Sequence, residues 1–194
     1  AQPIVVSQEV YEAGVTQLTA EQIRGIYRGE IADWSEIAAY EGESRPIQAV
    51  GRSEGSGTDT AFRVNMLGRS DASMDGVDVR RGQNQQVKNT VANSDNAIGY
   101  MALAFVDQET APAIAIEFQG TVYRPGENLA EESYPLSRDL HCYTWQGTSK
   151  MEAAFLHMII SDFGQQNFVA NAGYATLTDE RQATELEKLP DSEA

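Results

Sequence analysis

Cysteine is nearly absent from this sequence: Cys142 stands alone in 194 residues, so no disulfide forms within the chain and no cysteine cluster can hold zinc. Histidine is limited to His141 and His157, and the carboxylates are scattered, so no metal-ligand spacing and no cofactor motif emerges. Long hydrophobic runs are also missing. Crossing a bilayer takes about 18–20 apolar residues, and even Phe155 to Ile160 is interrupted by His157. Positive charge is in deficit, with 14 Lys and Arg against 29 Asp and Glu, a formal balance of -15. That balance repels nucleic acid and anionic membrane faces and removes both as partners. The sequence opens on Ala1 rather than Met, which fits a mature secreted chain and equally a trimmed one.

What is present has the rhythm of an α/β protein. Ile4 to Val6 is a short β-branched run, and the polar stretch Ser7 to Thr16 reads as a connection. Thr19 and Gln22 form a capping box ahead of Ile23, Ile26 and Tyr27 at helical spacing, and Gly29 stands where a C-terminal cap belongs, predicting a helix over 20–28. The alternation Ile47 to Val50 predicts a strand. Thr60 to Leu67 predicts a helix with Phe62 and Met66 one turn apart, closed by Gly68. Val87 to Asn93 is a weaker helical stretch, and Ala97 to Tyr100 reads as a strand with a close-packed glycine. Strand-like pieces follow at Ile114 to Phe118, Val122-Tyr123 and His141 to Trp145. Ser149 and Glu152 then open a helix whose apolar face is Met151, Phe155, Met158 and Ile159, and a shorter helix runs to Ala172. Asp179 to Ala194 reads as a fraying surface helix, and Trp34 and Trp145 as core or hinge residues.

Between the strand at Val50 and the following helix lies Gly51-Arg52-Ser53-Glu54-Gly55-Ser56-Gly57-Thr58. A strand, a glycine-rich turn and a helix N-terminus gather free backbone N–H groups at the positive end of the helix dipole, which is the chemistry of an anion site. Ser56 and Thr58 add hydroxyl donors. Arg52 adds a planar guanidinium that matches two oxygens of a tetrahedral oxyanion, and Glu54 is placed to orient it. The same local pattern is equally that of a flexible turn with Thr58 as N-cap. A Walker loop is excluded, because five residues after Gly51 comes Ser56 and no lysine follows; a dinucleotide fingerprint fails at Thr60. Gly51 to Gly55 also matches the G-x-S-x-G nucleophile elbow, with Ser53 as nucleophile and His141 and His157 downstream, so a serine hydrolase is the enzymatic alternative. A fold-retaining surface or scaffold protein without ligand is the third reading.

Four stretches and their order resemble the phosphate-binding receptors of ABC importers: Leu18 to Ile23 leading to Gly29 and Asp33-Trp34, Arg52 to Thr58, Asn96 to Tyr100, and Tyr134-Pro135-Leu136-Ser137-Arg138. Phe155, Gly164-Gln165 and Gly173-Tyr174 are similar to that family's closing helices. The resemblance implies a type II periplasmic-binding-protein fold, reversible non-enzymatic binding of inorganic phosphate or a similar oxyanion, and Arg52, Ser56, Gly57 and Thr58 as anion ligands, with Glu54 behind them. It further implies an extracytoplasmic location and an ABC permease as partner. Residues 1–145 would form the anion-binding lobe, with hinge strands near 4–7 and 141–145, and 146–194 would be helices of an incomplete second lobe. Relative to the family, the first part of lobe one is missing, so a lobe-one segment or a second copy of the chain would complete the site.

Overall fold

The run Ile4–Val6 forms a strand, β1, with all three residues buried, as a strand covered on both faces requires. The computed structural model containing it describes residues 1–127, 133–145 and 147–190, and the chain divides into two units, Ala1–Arg138 and Asp139–Ala194. After β1 come α1 (Gln8–Glu12), β2 (Gln17–Thr19) and α2 (Ala20–Arg28). The polar stretch from Ser7 to Thr16 thus holds a helix that the sequence pattern does not announce. Its five residues bury only Val10, too short a span for a helical period to register. By contrast α2 matches its expected bounds, because its signals are local. Thr19 accepts from the Gln22 amide, Gln22 accepts from the Thr19 amide, and Gly29 ends the helix at φ 79°.

β3 (Gln48–Arg52), α3 (Gly57–Phe62), β4 (Val77–Arg81), α4 (Asn84–Ala92) and β5 (Ala97–Tyr100) complete the principal sheet and its crossovers. The order is β1-β5-β3-β4, with β3 parallel to both β4 and β5 and β1 antiparallel to β5. Parallel neighbours need crossover connections, which α3 and α4 supply. α3 continues as a π-type turn over Arg63–Leu67 and stops at Gly68, φ 91°. β4 is not legible as a strand, since Asp78, Arg80 and Arg81 dilute its pattern. The Asp78 carboxylate accepts from the Ala49 amide at 2.9 Å, where the β3–β4 register shifts. α4 begins ahead of the expected Val87 because Gln86 accepts from the Gln83 amide at 3.2 Å, a glutamine cap of low sequence contrast. The glycine of β5 is close-packed as its pattern suggests. A Cβ on Gly99 would meet Val87 and Val91 of α4 at 3.0 and 3.1 Å.

β6 (Ala115–Phe118) and β7 (Thr121–Tyr123) form a second, three-stranded sheet in the order β2-β6-β7, with β2 parallel and β7 antiparallel to β6. At the other side of the unit, Gly76 leads into β4 against the end of α2. A Cβ there would strike the Ile26 carbonyl oxygen and lie 2.7 Å from the Gly29 nitrogen, both backbone atoms that cannot swing aside. Gly76→Ala is therefore expected to cost about 1–3 kcal/mol, read as a lowered midpoint in urea denaturation.

The second unit holds α5 (Lys150–Ile160), α6 (Asp162–Gly164) continued by a π-type turn at Gln165–Val169, and α7 (Asp179–Leu186). The Ser149/Glu152 capping box opens α5 as expected. Residues 141–145 form no strand: Tyr143 and Trp145 are 89% and 85% exposed, and among the described residues nothing pairs with the segment. Aromatic, β-rich composition favours a strand only where a ladder partner exists. The unit boundary accordingly falls at Arg138 rather than 145, and β1 lies within the first unit as part of its sheet. Of the two tryptophans, Trp34 is fully buried and Trp145 is not a core residue. The last four residues of the acidic tail, 191–194, lie outside the described residues.

Candidate functional site

β3 brings Arg52 to the carboxyl end of three parallel strands, the edge at which open α/β sheets gather their ligand loops. The Arg52 side chain turns toward the loop between β4 and α4. Nε donates to the Arg81 carbonyl at 3.2 Å, Nη2 to the Gly82 carbonyl at 2.7 Å and Nη1 to Asn84 Oδ1 at 2.5 Å. Of five guanidinium N–H donors these contacts use three, leaving two and fixing the plane of the group. Burial is the main influence drawing the Arg52 pKa down, and the charge of Arg138 adds to it, while Tyr100 and Asp59 act in the opposite sense. Glu54 does not orient this guanidinium. It is an exposed carboxylate paired with Arg63 at 3.4 Å and Arg80 at 3.6 Å, and the orienting role belongs to Arg81, Gly82 and Asn84.

Gly55 takes the left-handed turn at φ 79° with open space around it, so a glycine is needed there for conformation rather than for room. The N-cap of α3 is Ser56, not Thr58: its Oγ accepts from the Asp59 amide at 3.1 Å, which leaves the hydroxyl proton available to a ligand. Gly57 and Thr58 are the first two helical residues, whose amides have no intrahelical acceptor. Thr58 is 6% exposed, and its hydroxyl has no hydrogen-bond partner among the described residues. The glycine at 57 serves close approach, since a Cβ there would lie 3.1 Å from Arg138 Nη1 and 3.5 Å from its Cζ.

A buried network ties this loop to the sheet. Asp59, with 3% of its side chain exposed, accepts from Arg63 Nε at 2.8 Å, Arg80 Nη1 at 3.4 Å and the Tyr100 hydroxyl at 3.3 Å. The Tyr100 hydroxyl in turn accepts from the Arg52 amide at 3.1 Å, and Arg80 Nη1 donates to the Arg52 carbonyl at 3.1 Å. Burial raises the Tyr100 pKa far above the phenol range, so its proton stays in place for Asp59. Beneath, Tyr27, Phe62 and Tyr100 are fully buried, with Phe62 stacked on Tyr100 at 4.0 Å between centroids and Tyr27 edge-on to both. Sequence reasoning missed Asp59, Arg80 and Asn84. The i,i+4 spacing of Asp59 and Arg63 was a readable signal, whereas the partnership of Asn84 with Arg52 joins residues that only the fold brings together.

The elbow reading of Ser53 does not survive. A nucleophile elbow holds its serine on a strained turn. Among the described residues the sole non-glycine with positive φ is Gln119, and the Ser53 amide donates to the Arg81 carbonyl at 2.9 Å as a continuation of the β3–β4 pairing. Both histidines belong to the second unit, where His157 Nε2 lies 3.0 Å from the Pro190 carbonyl. Among the described residues no group of three or more His, Cys, Asp or Glu could hold a metal ion, and no helix is long and apolar enough to cross a membrane.

Comparison with known proteins agrees with this architecture. The chain is 27% identical over 168 residues to the phosphate-binding protein PstS of Bacillus subtilis, a match covering 87% of this chain and 53% of that protein. It is 23% identical over 184 residues to PstS of Staphylococcus saprophyticus, covering 91% and 56%. The chain thus spans about half the length of the curated relatives it matches. Among solved structures, a putative phosphate ABC transporter substrate-binding protein with bound phosphate from Clostridium perfringens superposes with a TM-score of 0.75 at 27% identity, over 91% of this chain and 68% of that one. An ABC-type phosphate transport receptor from Vibrio cholerae gives 0.68 at 27% identity, over 91% and 69%. The PBP superfamily domain matches residues 3–162, which is most of the sequence, and this α/β chain belongs to that superfamily.

Proposed function

We propose that this chain is the substrate-binding part of an ABC importer for phosphate, holding inorganic phosphate or a similar tetrahedral oxyanion reversibly at Arg52, Ser56, Gly57 and Thr58. The observation that carries the reading is the immobilised, buried Arg52 guanidinium at the carboxyl edge of the sheet, with two N–H donors unspent. The Ser56 and Thr58 hydroxyls and the leading amides of α3 supply further donors of the kind such an anion accepts. The names of the relatives support the ligand class and the transport role. The reading requires no reaction, because a receptor must release its ligand unchanged. The reading includes an extracytoplasmic location, a permease as partner, and completion of the binding cleft by a lobe-one segment or a second copy. A half-cleft desolvates its ligand incompletely and binds weakly.

Calorimetric titration with inorganic phosphate tests this. Saturable heat at millimolar phosphate is expected. Arg52→Ala should weaken binding about ten- to a hundredfold, the value of a charge-assisted hydrogen bond, and Arg52→Lys should recover only part because the fork geometry is lost. Absence of phosphate heat in both low and high salt would remove the receptor reading.

A further inference from the structure

We propose that Arg138 is a second guanidinium ligand of the same site, supplying charge and hydrogen bonds to an oxyanion that carries more than one negative charge; this rests on the receptor reading above.

The segment that carries Arg138 is built to aim it. Tyr134 and Leu136 are each 1% exposed; the Tyr134 ring meets Tyr123 edge-on at 5.6 Å and its hydroxyl donates to the Gln2 carbonyl at 3.4 Å. The Gln2 amide donates to the Leu136 carbonyl at 2.9 Å. Ser137 is then held from the other side, its carbonyl accepting from Asn65 Nδ2 at 3.2 Å, and Asn65 lies in the turn that continues α3. Clamped on both flanks, the chain delivers the exposed Arg138 side chain to the Cα of Gly57, the first residue of α3, at a spacing that any Cβ would crowd.

What Arg138 finds there is positive. The start of α3 presents amide hydrogens, and Arg52 is near enough for the Arg138 charge to oppose its protonation. Neither Arg52 nor Arg138 has a carboxylate at ion-pair distance among the described residues, and Arg138 makes no hydrogen bond there. In a chain with 29 acidic residues against 14 basic, a guanidinium with no carboxylate partner among the described residues, set against the first glycine of α3 and near enough to Arg52 to disfavour its charge, is an arrangement that a bound anion would relieve. A cation that merely decorated the surface would settle beside one of the abundant carboxylates.

The test compares phosphate titrations of the full 194-residue chain with Arg138→Gln, Arg138→Lys and Arg69→Gln, all at low salt. Arg69, exposed and paired with Asp71 at 2.8 Å, controls for the loss of one positive charge elsewhere. Expected is a ten- to hundredfold weaker phosphate affinity in Arg138→Gln, partial recovery in Arg138→Lys, and no change in Arg69→Gln, with thermal midpoints unaltered. Wild-type affinity retained by Arg138→Gln while Arg52→Ala loses it overturns this inference and leaves the receptor reading standing. An equal loss in Arg69→Gln reduces the effect to net charge and also overturns it. No phosphate binding by the unaltered chain overturns both together.

Discussion

Asp59→Ala should destabilise the first unit by about 3–5 kcal/mol, the cost of removing one member of a buried ion pair and leaving the buried Arg63 with only the exposed carboxylate of Glu54 at 3.4 Å. The carboxylate is 3% exposed and the Arg63 side chain 9%, so water cannot take over the contact between them. Arg63 would lose its 2.8 Å partner, Arg80 a second contact at 3.4 Å, and the Tyr100 hydroxyl its acceptor at 3.3 Å. Asp59→Asn keeps the shape and an acceptor oxygen while discarding the charge, and should fall between wild type and alanine. Trp34 is fully buried and Trp145 largely exposed, so the urea-induced change in fluorescence reports chiefly on the Trp34 environment in the first unit. Phosphate affinity should fall in parallel, because Asp59 reaches Arg52 through Tyr100 and Arg80 at both its amide and its carbonyl. A midpoint shifted by less than about 1 kcal/mol would show that these arginines find other acceptors, and the network would then be incidental to the loop.

How much of this was legible in the sequence follows the range of the interactions. Elements fixed by neighbours within four residues were read closely: α2 by Thr19, Gln22 and Gly29, α5 by Ser149 and Glu152, and β5 by its apolar run. The strand-turn-helix setting of residues 50–58 was also visible, because glycine spacing and the change of period are written locally. Elements fixed by distant partners were not. β4 is a strand because β3 offers a ladder and Asp78 fills the irregularity in it, although its own composition is polar. The reverse error occurred at 141–145, where aromatic composition suggested a strand that finds no partner among the described residues. Within the site, the residue types were legible and their pairings were not. Glu54 is two positions from Arg52, yet consecutive turn residues diverge, and the guanidinium goes instead to Gly82 and Asn84, delivered by the β4 crossover. Arg138 was legible only as the end of the Tyr134–Arg138 stretch, and its approach to Gly57 depends on Tyr134, Leu136 and Asn65, three contacts made only in the folded chain.

Phe62→Ala should cost about 3–5 kcal/mol, since it deletes a fully buried ring and leaves a cavity that rigid neighbours cannot fill. Those neighbours are the β5 residue Tyr100, stacked at 4.0 Å with 5° between planes, and Tyr27 of α2, edge-on at 4.6 Å and held by its hydroxyl on the Val50 carbonyl at 3.3 Å. Both are pinned at their polar ends, so neither can collapse inward without breaking a hydrogen bond. Phe62→Leu separates the two components of the loss. Leucine restores most of the buried volume and should recover most of the stability, leaving a deficit of about 0.5–1.5 kcal/mol for the aromatic pairing. The consequence for binding differs from that of Asp59. Loss of the stacked ring frees Tyr100 to tilt, and the Tyr100 hydroxyl sits between the Arg52 amide and Asp59. The alanine variant should therefore show weaker phosphate binding even at temperatures where it remains folded. Unchanged affinity in the folded fraction of Phe62→Ala would mean that the Arg52 loop is positioned by β4 and α4 alone, and that the aromatic layer contributes stability without shaping the site.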